Sequence, residues 1–198
     1  MALPFGVEGR SRLSAVLGVL LADGFYAAEL NNGQEVKNVF RDLREYGLQL
    51  NVEEEIVARN KELSELVEFG RWEDIKQVLQ ITYQSLRNDF KRQKDEALIV
   101  FFDLGLWFRL MQISVSVFGE NLTSEGKIFL EQKSEVVDNF IMELDTMPSK
   151  NSTDDFTSFL RDNLVLLQAE FEGVLTEEAA KRILEIMNLV VSKICSKN

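Results

Sequence analysis

The 198-residue chain is 45% hydrophobic and 28% charged, ordinary for a globular protein and long enough to bury a core without a disulfide or metal staple. Its 22 basic and 33 acidic residues leave a net charge of −11, which opposes phosphate backbones and anionic bilayers and lacks the basic footprint of nucleic-acid binding. With no histidine and Cys195 as the single cysteine, Ser-His-Asp and Cys-His catalysis, the HExxH zinc helix, Cys-x-x-Cys redox chemistry and an internal disulfide have no residues to work with.

The first predicted helix runs from about Ser11 to Leu30, with Leu13, Val16, Leu17, Leu20, Leu21 and Gly24 on one face. Small residues at Ala15, Gly18 and Ala22 are spaced i, i+3, i+7 and let a neighbouring helix approach closely. Arg10 and Arg12 ahead of "LSAVLGVLLA" mimic a signal peptide, but Glu8 sits in the basic region and Leu20 stands where a small residue is preferred before a cut. The reading adopted is a core helix.

"NNGQ" breaks the chain before a second helix, 34–46, which presents Val36, Val39, Phe40 and Leu43 and is expected to stop at a left-handed Gly47. Asn51 with Glu54 resembles a capping box and opens a third helix to Phe69. The "FGRWEDI" turn at 69–75 has the character of helical-repeat turns, although no self-similar pattern recurs between the helix pairs. A fourth helix follows with the stripe Trp72, Ile75, Leu79, Tyr83, Leu86 and Phe90.

The fifth predicted helix, 97–118, is apolar on two opposite faces: Val100, Leu104, Phe108, Met111 and Val115 against Phe102, Leu106, Ile113 and Val117. That pattern predicts a central helix sandwiched between layers. A membrane span is the competing reading. Asp103 and Arg109 each cost roughly 2.5–3.5 kcal/mol at a bilayer centre, while each large apolar residue returns only about 0.3–0.6.

"TSEG" opens a sixth helix extending through Leu144; Ser152 with Asp155 caps a seventh, striped by Phe156, Leu160, Leu164, Leu167 and Phe171. Thr176 caps an eighth, with Ile183, Leu184, Met187, Val191 and Ile194 inward. No alternating strand pattern occurs. The chain therefore reads as one all-α domain over 1–198, a compact antiparallel bundle of about eight amphipathic helices in four hairpins around helix 97–118.

Arg109 is the residue of interest, because a guanidinium on a central helix must find partners. One expectation is an internal ion pair with Asp23 or Glu29. The other is a ligand-binding pocket lined by Arg109, Gln112, Ser116, Gly105 and Asp23, in which the guanidinium fork holds a carboxylate or phosphate. Nothing assembles Tyr26, Tyr83, Asp23 and Asp103 into a catalytic site, so the balance falls against an enzyme, and no metal or cofactor is expected. The leading function is a non-catalytic interaction or scaffold domain, with a protein partner or self-association. The alternative is a binder of a small anionic or amphipathic molecule, sited between the first and fifth helices. The expected compartment is cytoplasmic, with a periplasmic or secreted mature chain whose leader is absent as the alternative.

Overall fold

In the computed structural model, residues 7–52, 60–118, 122–148 and 155–196 are described, and almost all of them are helical, with no strand among the described residues. The helices are α1 (Val7–Glu29), α2 (Gly33–Gln49), α3 (Asn60–Glu68), α4 (Trp72–Arg92), α5 (Glu96–Phe118), α6 (Ser124–Glu131), α7 (Ser134–Asp145), α8 (Asp155–Glu172) and α9 (Glu177–Cys195). Contacts divide the chain into two units, one of residues 13–107 and the other of the residues up to Arg12 together with 108–198.

In the first unit, α1 to α4 all end the same way. Asn31, Asn51, Gly70 and Lys94 adopt φ of 55°, 54°, 63° and 55°. The amide that follows each reaches back to a carbonyl five residues earlier: Asn32 to Ala27, Val52 to Gly47, Arg71 to Leu66 and Asp95 to Phe90. This is the Schellman motif, which satisfies carbonyls that a helix end would leave unpaired. Asn and Gly take the left-handed conformation at low cost, whereas Lys94 takes it against its own preference.

The expected stop at Gly47 is therefore moved to Asn51. Gly47 stays helical and buried, and its glycine is needed for space: a Cβ there would lie 2.8 Å from Val52 Cγ2, where the chain folds back. Asn51 is accordingly part of the end of α2. Its supposed capping partner Glu54, and the Ser152 box, lie outside the described residues.

Leu17, Leu21, Phe40, Leu79, Phe90 and Phe102 lie at the centre of this unit, each at most 4% exposed. Each such side chain contributes roughly 1.5–3 kcal/mol by leaving water. Helix α1 and the first part of α5 come into close contact. A Cβ on Gly18 would lie 2.1 Å from the Phe102 carbonyl oxygen, and one on Gly105 would lie 2.0 Å from that of Ala15. The two backbones thus meet through reciprocal glycines, as the small-residue spacing on the first helix predicts. Ser14 Oγ reinforces the crossing by donating to Leu98 O at 2.6 Å.

In the second unit, α8 packs on both α7 and α9. Val137, Leu144, Phe156, Leu160, Leu164 and Ile183 are among its buried side chains. Arg161 grips the carboxylate of Asp145 with two nitrogens, and Arg182 grips Glu170 at 2.7 and 2.8 Å. Thr123 and Thr176 cap α6 and α9 by accepting from Gly126 N at 3.2 Å and Ala179 N at 3.1 Å.

The single sixth helix of the sequence reading is two helices in the structure. At Gln132 and Lys133 ψ rises to −6° and −10°, and Lys133 N–H bonds Leu130 O at 2.9 Å, a tightened turn that no glycine or proline marks. Arg12, which resembles a signal-peptide basic residue, is buried. It donates to the carbonyls of Ile194 (3.2 Å), Lys193 and Ser196 (2.8 Å), so its positive charge closes the C-terminal end of α9.

Gly18→Ala and Gly105→Ala are each expected to destabilise the protein by about 2 kcal/mol or more, despite alanine's helix preference of about 1 kcal/mol over glycine. Gly24→Ala meets only a movable methyl of Leu79 at 2.9 Å and costs less. Urea unfolding of the three variants measures the order, and a stabilised Gly105→Ala protein is incompatible with the crossing.

The hydrogen bonds from Arg161 and Arg182 hold the carboxyls of Asp145 and Glu170 below their ordinary range, against a smaller opposing effect of burial. Folded-state values below unfolded ones mean a contribution that is complete above the unfolded pKa of about 4 and lost as pH falls through the folded value. The Asp145→Asn, Glu170→Gln double variant is expected to melt below wild type at pH 7, and the gap in Tm is expected to close towards pH 3.

Candidate functional site

Helix α5 carries the residues from which a site is built. One row, Phe101, Leu104, Phe108, Met111 and Val115, is at most 3% exposed. A second apolar row, Leu106, Leu110, Ile113 and Val117, follows a spacing of four, three and four along one helical stripe. Along that row Leu106 and Ile113 are half-buried, Leu110 is 39% exposed and Val117 72%.

The expected enclosure on both apolar faces therefore holds around Phe102 but not in the C-terminal half. Two helices among the described residues are long and apolar enough to cross a membrane, Gly9–Glu29 and Glu96–Val117. They are 72% and 44% buried, so α1 is the deeper of the two.

The five expected ligand-binding residues occupy distinct settings. Gly105 faces the backbone of Ala15, which fills the space a ligand would need beside it. Asp23 is half-buried on α1, in the same unit as Gly105. In the other unit, Arg109 Nη1 donates to Gln112 Oε1, and Gln112 Nε2 donates to Asn188 Oδ1 at 2.6 Å. Arg109 and Gln112 are thus brought together and tied to α9. Ser116 is exposed, and its Oγ turns back on its own helix to donate to Ile113 O at 2.7 Å. Glu29, one of the two carboxylates considered for Arg109, is ion-paired with Lys76 Nζ at 2.9 Å.

The polar cluster that sequence reasoning did not assemble is Tyr83, Arg87 and Asp103. Tyr83 and Arg87 stand one turn apart on α4 and Asp103 faces them from α5. The Tyr83 hydroxyl donates to Asp103 Oδ1 at 3.1 Å, while Arg87 Nη1 donates to the Tyr83 oxygen at 2.6 Å and to Asp103 Oδ2. The phenol ring stacks on Phe102, with centroids 5.6 Å apart, and the guanidinium carbon of Arg87 lies 5.4 Å from its centroid. An aromatic and an arginine at i, i+4 opposite an acidic residue on an apolar helix are a usable signal, but only once α4 and α5 are known to be neighbours.

Burial raises the Tyr83 pKa above its ordinary value, the Asp103 charge adds to that, and the Arg87 hydrogen bond opposes it. For Arg87, burial is outweighed by Asp103 and Tyr83, and its pKa is raised as well. The phenol is therefore neutral at physiological pH and the carboxylate is compensated. Such a cluster ties α4 to α5. Among the described residues, no group of three or more Cys, Asp or Glu side chains is placed to hold a metal ion. Comparison with protein-family models, with curated proteins and with solved structures finds no match to this chain.

Asp103→Asn removes one of the charges that raise Tyr83, so its phenol is expected to titrate at lower pH than in wild type, read from the absorbance of the tyrosinate against a Tyr83→Phe reference. The raised pKa also means that folded protein holds the phenolic proton more tightly than unfolded chain, so this contribution fades as pH rises above about 10. An unchanged titration in Asp103→Asn is incompatible with the contact.

Proposed function

We propose that the chain is a non-catalytic helical module that acts by protein–protein contact, as a scaffold or by self-association, with the open row of α5 as its contact strip. The observation that carries this reading is the exposure of Leu110 and Val117 on a row whose spacing of four, three and four is that by which one helix meets another. The row itself is uncharged in a chain of net charge −11, so a helix approaching it meets little repulsion. Beside it, Arg109 and Gln112 are tied towards Asn188, which leaves the apolar side chains as the available contacts.

In this reading the helices form antiparallel hairpins of a single domain, and the protein works in the cytoplasm without metal, cofactor, nucleic acid or membrane span. A binder of an anionic molecule around Arg109, Gln112, Ser116, Gly105 and Asp23 is the second reading. The half-buried guanidinium favours it, and the filled space at Gly105 opposes it.

A photo-crosslinking side chain placed at Leu110 or Val117 in cells expressing the protein is expected to give a discrete protein adduct, while the same group at the exposed Gln84 is expected to give none. An adduct of twice the chain mass identifies self-association. Absence of adducts at both 110 and 117, with a small molecule retained in native mass spectrometry, would sink the contact reading in favour of the second.

A further inference from the structure

The α1–α2 and α3–α4 turns meet at one end of the 13–107 unit. A Cβ on Gly33 would lie 2.2 Å from Val67 Cγ1 and 3.6 Å from Trp72 Cη2. Lys76 bridges to Glu29 at 2.9 Å, and Lys37 reaches Glu68 at 3.8 Å. Each turn is a Schellman motif whose capping residue is large and apolar, Leu30 in one and Phe69 in the other. At the end of α2 in the same unit the equivalent residue, Leu50, is fully buried. Leu30 is instead 59% exposed and Phe69 78%, with Tyr26 one turn before Leu30 at 41%.

These side chains stand on fixed backbone. Phe69 N–H bonds Glu65 O at 3.1 Å, Gly70 N–H bonds Val67 O at 3.1 Å and Arg71 N–H bonds Leu66 O at 2.9 Å. On the neighbouring turn Leu30, Asn31 and Asn32 donate to Tyr26, Ala28 and Ala27 at 3.1, 3.1 and 2.8 Å. An aromatic group held out to water on a preorganised turn loses little entropy when a partner covers it, and aromatic residues dominate the energetics of contacts.

The surrounding charge selects the partner. Lys37, Lys76 and Arg71 are each already neutralised within this end of the unit, by Glu68, by Glu29 and Glu73, and by Asp74. Among the described side chains of these two turns the charge left over is negative, with Glu35 exposed two residues after Gly33 and Glu65 exposed one turn before Phe69. Nucleic acid and anionic lipid are repelled by such a rim, and a second copy would bring the same sign.

We propose that this juxtaposition of Leu30, Phe69 and Trp72 within an acidic rim is a docking face for a cationic, apolar-tipped segment of another protein. Phe69 is its central anchor, Leu30 and Tyr26 extend the apolar contact, and the carboxylates meet lysine or arginine at the edge. The face is separate in sequence from the open row of α5 and stands whether or not that row is covered. A scaffold requires two such surfaces.

The test uses the full chain and two fluorescein-labelled amphipathic helical peptides with the same leucines and one phenylalanine, one bearing lysines and the other glutamates. Anisotropy is expected to show micromolar binding of the lysine peptide and none of the glutamate peptide. Phe69→Ala is expected to weaken binding at least tenfold with an unchanged Tm, whereas Leu189→Ala, which removes an exposed leucine of the other unit, leaves it unaltered. Equal binding of both peptides, unchanged affinity in Phe69→Ala, or no binding at about 100 µM overturns the proposal. So does a wild-type dimer in light scattering that Phe69→Ala dissolves, which would show that a second copy covers the face.

Discussion

The approach of α1 to α5 through Gly18 and Gly105 is the constraint on which the 13–107 unit depends. With the Phe102 and Ala15 carbonyls only about 2 Å from where a side chain would begin, neither position accepts a Cβ without separating the helices. That closeness lets Ser14 reach the Leu98 carbonyl across the contact. It also decides how α5 is used. The residues of α5 that face α1 are fully enclosed, and its remaining surface is left to other neighbours. On that surface Asp103 has to be compensated, and α4 supplies Arg87 and Tyr83 at the required place.

Three charged groups of the apolar helices are tied to a different helix, Arg12 and Asp103 directly and Arg109 through Gln112 of its own helix. Arg12 closes the carbonyl end of α9, Asp103 accepts from two residues of α4, and Arg109 is linked through Gln112 to Asn188. A buried charge without such a partner costs several kcal/mol, so these pairings restrict which helices can lie together. Arg12 and Arg109 are thus accounted for by packing before any ligand is invoked.

Most helices were legible because amphipathic periodicity and caps are local. Thr176, the small-residue spacing at Ala15, Gly18 and Ala22, and the stripes of the fourth and eighth predicted helices all depend on residues a few positions apart. The departures have equally physical causes. Glycine commonly marks a left-handed stop, which is what Gly47 suggests, but here it makes room for Val52 and the left-handed residue is Asn51. The interruption at Gln132 and Lys133 arises from a small change in ψ among good helix formers, which leaves no trace in composition. Of the candidate site, the polar stripes of α5 were visible, but their partners were not. Whether Asp103 meets Arg87, or Arg109 meets Gln112 and Asn188, depends on which helices become neighbours, and periodicity within one helix does not contain that information.

The exposed apolar residues differ in kind from those on most helical proteins' surfaces, where single leucines are scattered without consequence. Leu30 and Phe69 occupy the same position of the same motif on adjoining turns, whereas Leu50 shows that this position can equally be directed inward. Folding does not require either residue to be large, since the capping hydrogen bonds are made by the backbone and depend only on the left-handed residue that follows. A smaller or polar residue would serve the turn as well and would cost no exposed apolar area. The excess of apolar surface at these two positions is therefore not explained by the stability of the unit, and it is the ground on which the docking proposal stands.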